Sequence, residues 1–201
     1  MADTQALVES THPFSGSDPL GMAVLEWWKR MHGLKGESLD VLEETTPQPG
    51  VTGERAELKR AGTEEEVVFS LAYQRLRWAL IHAGSGENRE ATMIALARLL
   101  VRIKKPELKG TLPERMGQKE QDGDKPRVSE LRFKRLLRAE TPTQLAEALI
   151  RLLPMLDDRA NPLELAQDIW FWGAIGRKGD TPRKRWANQY YQAYLSNSSK
   201  P

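Results

Sequence analysis

At four places where a helical pattern follows, a capping side chain stands directly before a proline, which is typical of the first turn of a helix. The four pairs are Asp18-Pro19, Thr141-Pro142, Asn161-Pro162 and Thr181-Pro182. A capping box, with Thr63 as the cap and Glu66 three residues later, predicts one more helix start. No run of alternating β-branched residues is long enough to form a sheet. The sequence therefore predicts an all-α fold, a helical bundle of about seven to nine helices.

The middle of the chain predicts two long helices and then a long loop. One helix should run from the Thr63 cap to near Gly84, and the next from about Asn88 to Ile103. Prolines, glycines and charged residues crowd the segment 104–127, which predicts a flexible loop there. We expect a single domain over residues 19–195, with flexible ends at 1–18 and 196–201.

The residue types that the chain lacks argue against several classes of function. Without cysteine it has no disulfide, thiol nucleophile or zinc finger. Its three histidines stand far apart, and neither metal-ligand spacing nor a catalytic motif is visible, so we predict no enzyme activity, no metal and no cofactor. We expect a cytoplasmic protein with no membrane partner, because no signal peptide is visible and the most apolar stretch is too short to span a bilayer.

Charge is distributed unevenly along the chain. Residues 1–66 contain 6 basic and 13 acidic residues, whereas residues 67–201 contain 24 basic and 15 acidic residues. An acidic front part, to about residue 66, is thus followed by a basic body. Such a body favours a polyanion as partner.

The segment 130–138 predicts an amphipathic helix with one cationic side. Phe133, Leu136 and Leu137 share an arc of the helical wheel, and the opposite half carries Arg132, Lys134, Arg135 and Arg138. Glu130 is the one acid in the segment, so pairing four residues apart cannot neutralise all four cations. Phosphate binding and an ordinary solvated face fit this pattern equally well.

A second cationic cluster occupies the predicted first turn of the last helix. Arg183, Lys184 and Arg185 oppose the helix dipole there, at about 0.3–1 kcal/mol each when exposed. Helix stability therefore does not explain these residues. A bound phosphate would explain them, since it could accept from the free first-turn N–H groups and contact the cations together.

The pattern of aromatic residues predicts that some of their side chains are buried in the core and others are exposed. Trp186, Tyr190 and Tyr194 recur every four residues on one side of a helix, which is typical of core. The pairs Trp27-Trp28 and Trp170-Trp172 cannot turn both members toward one line of the core. One member of each pair is therefore expected at the surface, where it could contact a partner.

Several segments, in this order, resemble a known family. They are residues 55–60 (RAELKR), 73–76 (YQRL), 129–140 (SELRFKRLLRAE), 170–173 (WFWG) and 183–186 (RKRW). Their succession, over about residues 20–195, resembles the CasB small subunit of the type I-E CRISPR surveillance complex, Cascade. One departure is the segment 176–179, which looks like an insertion.

The resemblance implies a non-catalytic helical subunit of a ribonucleoprotein that acts in antiviral defence. In that family two copies hold the guide RNA–target DNA hybrid and the displaced strand through basic residues, without reading sequence. The implied partners are therefore guide RNA, both DNA strands, other Cascade subunits and a second copy of the chain. A helical protein–protein adaptor without direct nucleic-acid contact is the alternative.

Position by position, the resemblance adds Arg89, Arg138 and Arg151 to the basic surface, together with the cations that follow Trp172-Gly173. The full set of candidate nucleic-acid-binding residues combines these with the two clusters. It comprises Arg55, Arg89, Arg132, Arg135, Arg138, Arg151, Arg177, Lys178, Arg183, Lys184 and Arg185.

Overall fold

A computed structural model describes residues 14–45, 50–119, 125–173 and 181–196, and these residues form ten α-helices. In chain order the helices are α1 (Pro19–His32), α2 (Val51–Arg60), α3 (Glu64–Phe69), α4 (Leu71–His82), α5 (Glu90–Leu100), α6 (Leu112–Gly117), α7 (Glu130–Leu137), α8 (Pro142–Leu152), α9 (Pro162–Trp170) and α10 (Pro182–Ser196). A 3₁₀ helix (Leu153–Leu156) follows α8, and β1 (Leu34–Lys35) pairs antiparallel with β2 (Glu43–Glu44). The predicted all-α class is confirmed.

The four cap-proline pairs all mark helix starts, as predicted. The Thr141 hydroxyl accepts from the Gln144 N–H at 3.2 Å, and the Asn161 side chain accepts from two first-turn N–H groups. Asp18 differs, because its carboxylate accepts from the Ser15 hydroxyl at 2.6 Å and makes no cap bond. Its helix, α1, ends at Gly33, whose φ of 64° is the left-handed conformation that favours glycine.

The helix predicted to run from Thr63 to Gly84 is divided in two at Ser70. Thr63 and Glu66 form the predicted capping box, but Ser70 is extended, with φ −73° and ψ 135°. Its hydroxyl donates to the carbonyl of Val67 at 2.7 Å and accepts from the N–H of Tyr73. Ser70 therefore ends α3 and caps α4, which is one reason why the helices exceed the predicted number.

The segment 104–127 is partly helical rather than a flexible loop throughout. A second capping box, Thr111 with Glu114, begins α6 there. This short helix packs against α10 so closely that a Cβ added at Gly117 would lie 2.3 Å from the carbonyl oxygen of Tyr190. Residues 120–124 lie outside the described part of the chain.

The core surrounds α5, which contacts α2, α3, α4, α8 and α9. Met93, Leu96, Leu99, Leu100 and Ile103, the predicted apolar side of this segment, are all buried. In the described ranges, no helix has both the length and the apolar character needed to cross a membrane.

The prediction that one member of each tryptophan pair is exposed is wrong. Trp27 and Trp28 are both buried, and their indole N–H groups donate to the carbonyls of Ala72 and Ile103 at 2.7 and 3.1 Å. Because each indole finds a carbonyl inside the protein, neighbouring tryptophans can enter two different parts of one core.

The second tryptophan pair is buried as well. Trp172 donates to the carbonyl of Ala139, and Trp170 packs edge-on against Phe14, with the ring centroids 5.4 Å apart. Phe14 lies in the N-terminal segment that we expected to be flexible, yet it belongs to the core. The packed structure thus includes residues before Pro19.

Candidate nucleic-acid interface

The orientation of α7 is fixed by its apolar side. Phe133 and Leu136 are buried, and the Phe133 ring stacks on Tyr190 with the centroids 3.9 Å apart and the planes 8° from parallel. Tyr190 is itself held, because its hydroxyl donates to the carbonyl of Val128 at 2.7 Å. This packing joins α7 to α10 and leaves the opposite side of α7 in solvent.

That solvent side carries the four predicted cations, Arg132, Lys134, Arg135 and Arg138, all of them exposed. We call these four residues the α7 basic face. The prediction that they lie opposite the buried residues of α7 is confirmed.

Glu130 neutralises only one residue of the α7 basic face. Its carboxylate accepts from Lys134 at 2.6 Å and from the Tyr191 hydroxyl at 3.0 Å, and these bonds hold the pKa of Glu130 below its usual value. Arg132 lies 3.5 Å from the sulfur of Met155. The side chains of Arg135 and Arg138 have no hydrogen bond or ion pair with any residue that the structure describes.

The cluster at the start of α10 is partly committed to the fold. Arg185 forms an ion pair with Asp168 of α9, a buried carboxylate that also accepts from the Trp186 indole at 2.7 Å. Arg183 lies over the Trp172 ring, 5.6 Å from its centroid. The expectation that helix stability leaves these cations unexplained is therefore wrong for Arg185, because a buried carboxylate needs a counter-charge. Lys184 is exposed.

Arg89 also has an internal role. Its guanidinium lies 4.7 Å from the centre of the Trp170 ring and donates to the carbonyl of Trp170 at 3.1 Å. Burial lowers the pKa of Arg89. These contacts tie the start of α5 to the end of α9, so the residue stabilises the fold whatever else it binds.

The remaining predicted residues are spread over the molecule. Arg151 is exposed near the end of α8, a helix that packs beside α7, whereas Arg55 is half-buried on α2. Arg177 and Lys178 lie outside the described residues. Helix α7 is thus where the predicted cations stand closest together while remaining exposed.

The sequence reasoning missed a second group of cations. Lys59, Arg102 and Lys104 line a pocket of about 320 Å³ together with Asp158. They come from the ends of α2 and α5 and from the turn after the 3₁₀ helix, so no single segment reveals them. The available signal was Arg102 itself, a charged residue within the most apolar stretch of the chain.

The sequence reasoning also missed an exposed aromatic residue, Trp78. Trp78 is 63% exposed and stacks on His82, with the ring centroids 3.8 Å apart. It lines a cleft of about 810 Å³ with residues of α1, β1 and α4, among them Trp27, Leu34 and Leu71.

The titratable residues that the structure describes do not group into a metal centre. In the described ranges, no three His, Asp or Glu side chains come together in a way that could hold a metal ion. Asp157, an acid of the loop before α9, pairs with Arg127 at 2.7 Å, which lowers the pKa of Asp157.

A family model of the CRISPR-associated protein Cse2 matches residues 54–191. The match includes α3 to α9, most of α2 and the part of α10 that contains Trp186 and Tyr190. It therefore covers both cationic clusters. No curated protein and no solved structure matches the chain.

Proposed function

Since this chain belongs to the CRISPR-associated Cse2 family, the CasB small subunits of type I-E Cascade, we propose that it binds nucleic acid in that complex without reading sequence. The observation that carries the proposal is the α7 basic face, whose arginines are exposed and lack carboxylate partners among the described residues. Its ligands are the guide RNA and the target and displaced DNA strands.

The side chains of the α7 basic face favour backbone contacts over base contacts. Arginine and lysine on one side of a helix can neutralise phosphates of any sequence, and the segment 130–138 lacks the asparagine or glutamine that reads adenine. Such contacts stabilise any strand of suitable shape. The proposed role therefore needs neither catalysis nor sequence recognition.

Modest contacts are enough for a function in an R-loop. Opening a target duplex while forming an RNA–DNA duplex is a nearly balanced exchange, so a few contacts to the backbone can shift it. Arg132, Arg135 and Arg138 would supply these contacts, with Arg151 on the adjacent helix α8. Two copies of the chain in one complex would double the surface.

The test replaces Arg132, Arg135 and Arg138 together by Ala in reconstituted Cascade. Target binding should weaken, and the slope of log affinity against log salt should fall by about 0.7–0.9 for each phosphate that the variant no longer neutralises. Folding should be unaffected, because these side chains are exposed. The measurement is target affinity by filter binding over a series of salt concentrations.

A control variant with the same change of charge isolates the surface. Lys105, Lys109 and Lys125 are also exposed, and replacing all three by Ala should change target affinity much less. Unchanged affinity and salt slope in the α7 variant, with normal assembly, would refute the proposal. Failed assembly would instead show that the α7 basic face docks a neighbouring subunit, which is the adaptor alternative.

A second candidate role, docking of a neighbouring Cascade subunit, is favoured by the cleft beside Trp78. Phe69 and Leu71 are exposed near it in sequence, at 79% and 49%. Exposed aromatic residues are enriched at protein interfaces. Replacing Trp78 by Ala should reduce incorporation into Cascade without unfolding the chain, whereas Val41→Ala, at another exposed apolar residue, should not. Full incorporation of the Trp78→Ala variant would exclude this docking role.

A further inference from the structure

We propose that the pocket lined by Lys59, Arg102, Lys104 and Asp158 binds a phosphate group. This site is separate from the α7 basic face, and the two share no residue. We call it the α2–α5 pocket, because Lys59 belongs to α2 and both Arg102 and Lys104 follow α5.

The backbone holds the cations of the α2–α5 pocket in place. Arg102 donates to the carbonyls of Arg98 and Lys59, at 2.5 and 2.7 Å, and so fixes the end of α2 against the end of α5. The backbone N–H of Lys104 donates to the carbonyl of Asp158 at 2.8 Å. The site is therefore largely preformed, which lowers the entropy lost when a ligand binds.

Charge in the α2–α5 pocket is not balanced. Asp158 supplies one negative charge and pairs with Lys104 at 2.6 Å. Lys59 has no carboxylate partner in the described part of the chain. The guanidinium of Arg102 donates to uncharged backbone carbonyls, so these bonds do not neutralise its charge. Three cations thus face one anion, and the half-buried Arg55 adds a further positive charge nearby.

Two neighbouring groups respond to this excess of positive charge. Burial lowers the pKa of Lys59, and the charges of Arg55, Lys104 and Arg102 lower it further. His32, half-buried beside the same residues, has its pKa lowered to about 3 by desolvation and then by the charges of Arg55 and Lys59. The cations therefore repel one another, and an anion bound among them would remove that repulsion.

The shape of the α2–α5 pocket suits a compact anion. Its volume of about 320 Å³ has room for a phosphate group, and Ile150 and Pro154 form an apolar wall that reduces screening by water. Lys104 remains 60% exposed, so the entrance is open to solvent. A phosphate can accept several N–H donors at once, which matches guanidinium and ammonium groups that converge from different elements.

The first experiment uses inorganic phosphate as the probe. Phosphate should raise the melting temperature of the full chain, relative to chloride at the same ionic strength. The double variant Lys59→Gln and Lys104→Gln should weaken phosphate binding by about tenfold or more. A matched control, Lys105→Gln with Lys109→Gln, removes two exposed cations outside the pocket and should bind phosphate as the unchanged chain does.

A variant that is expected to tighten phosphate binding, rather than weaken it, makes the test sharper. Asp158→Asn removes the carboxylate of the pocket and should tighten phosphate binding by about threefold to tenfold. Asparagine tolerates the left-handed conformation of Asp158, whose φ is 54°, so the turn should be preserved. A variant that merely disturbed the fold would weaken binding instead.

A second arm distinguishes free phosphate from the phosphates of a nucleic-acid backbone. A short oligonucleotide is titrated against the same variants. If the pocket binds a backbone phosphate, the lysine double variant should bind the oligonucleotide more weakly, the Lys105 and Lys109 control equally well, and Asp158→Asn more tightly. In that case inorganic phosphate alone should give no response. A response to inorganic phosphate alone assigns it to a free phosphate compound.

The proposal is overturned if the lysine double variant and Asp158→Asn bind both probes as the unchanged chain does. It does not depend on the α7 basic face. If the Arg132, Arg135 and Arg138 variant leaves R-loop binding intact, the phosphate response of the α2–α5 pocket should still be present. The two proposals can therefore fail separately.

Discussion

Arg185 and Asp168 form an ion pair that joins the first turn of α10 to α9. Asp168 is only 3% exposed, and the Trp186 indole donates to its other oxygen at 2.7 Å. The helix dipole opposes a cation at this position by about 0.3–1 kcal/mol. Loss of a partner from a buried pair costs about 3–5 kcal/mol, so the pair outweighs the dipole.

We predict that Arg185→Ala lowers the free energy of unfolding by about 1–3 kcal/mol, less than for a fully buried pair because Arg185 is 39% exposed. The physical reason is that Asp168 keeps its charge but loses its counter-ion. Urea denaturation measures the change. Arg138→Ala, at the exposed residue that directly follows α7, is the control and should stay within about 0.5 kcal/mol.

Adding Asp168→Asn to Arg185→Ala should recover part of the loss, since the uncompensated charge is then gone. An Arg185→Ala variant as stable as the unchanged chain would mean that the ion pair has no net effect. In that case Arg185 would again be a candidate phosphate ligand, together with Arg183 and Lys184 at the start of α10.

Gly117 predicts a second effect on stability. A Cβ there would lie 2.3 Å from the carbonyl oxygen of Tyr190, so Gly117→Ala must push α6 away from α10. We expect a loss of about 1–3 kcal/mol, the usual cost of overpacking. Gly53→Ala is the matched control, because nothing lies within 4 Å of the added Cβ in α2. Removing a helical glycine there should stabilise the chain by about 0.5–1 kcal/mol.

Equal effects of the two glycine substitutions would contradict the close approach of α6 and α10. Both can be compared by thermal denaturation under the same conditions. The contrast depends only on contacts with the added methyl group, since both residues are helical.

The helix starts could be predicted from the sequence because capping is local. Thr63 with Glu66, and Thr141 with Pro142, contain within four residues the groups that satisfy the first-turn N–H donors. The α7 basic face could be predicted equally well, because the helical period of 3.6 residues places its cations on the side opposite Phe133 and Leu136. Local pattern and final structure agree in both cases.

The features that were missed depend on residues far apart in the chain. Asp168 stands 17 positions before Arg185, and Lys59 meets Arg102 across 43 positions. No periodicity links such pairs, so neither the counter-ion in α9 nor the α2–α5 pocket could be predicted. Trp27 and Trp28 show the same limit, since their carbonyl acceptors lie 45 and 75 positions away.

The break at Ser70 is different, because it is local and the sequence pattern still does not reveal it. The apolar residues continue through it, whereas the break depends on two bonds of the Ser70 hydroxyl, to Val67 and Tyr73. We predict that Ser70→Ala destabilises the chain by about 1–2 kcal/mol, since a buried cap is lost. Chemical denaturation measures this loss, and Ser38→Ala, at an exposed serine, should cost little. A continuous helix in the variant, seen as a gain of helicity, would show that the serine alone causes the break.

His32 predicts how stability depends on pH. Burial and the nearby charges of Arg55 and Lys59 lower the pKa of His32 from 6.5 to about 3. Between pH 6.5 and pH 3 the unfolded chain binds a proton at His32 that the folded chain does not bind. The free energy of unfolding is therefore unaffected by His32 above pH 6.5 and decreases as the pH falls toward 3. By pH 4 the loss should reach about 3 kcal/mol.

The variant His32→Gln separates this effect from the titration of carboxylates. Glutamine does not titrate, so the variant should lose less stability than the unchanged chain between pH 7 and pH 4. His82→Gln, at an exposed histidine stacked on Trp78, should retain the full dependence. The measurement is the free energy of unfolding at each pH. If His32→Gln falls as steeply as the unchanged chain, then His32 either is charged in the folded protein or opens to solvent before the chain unfolds.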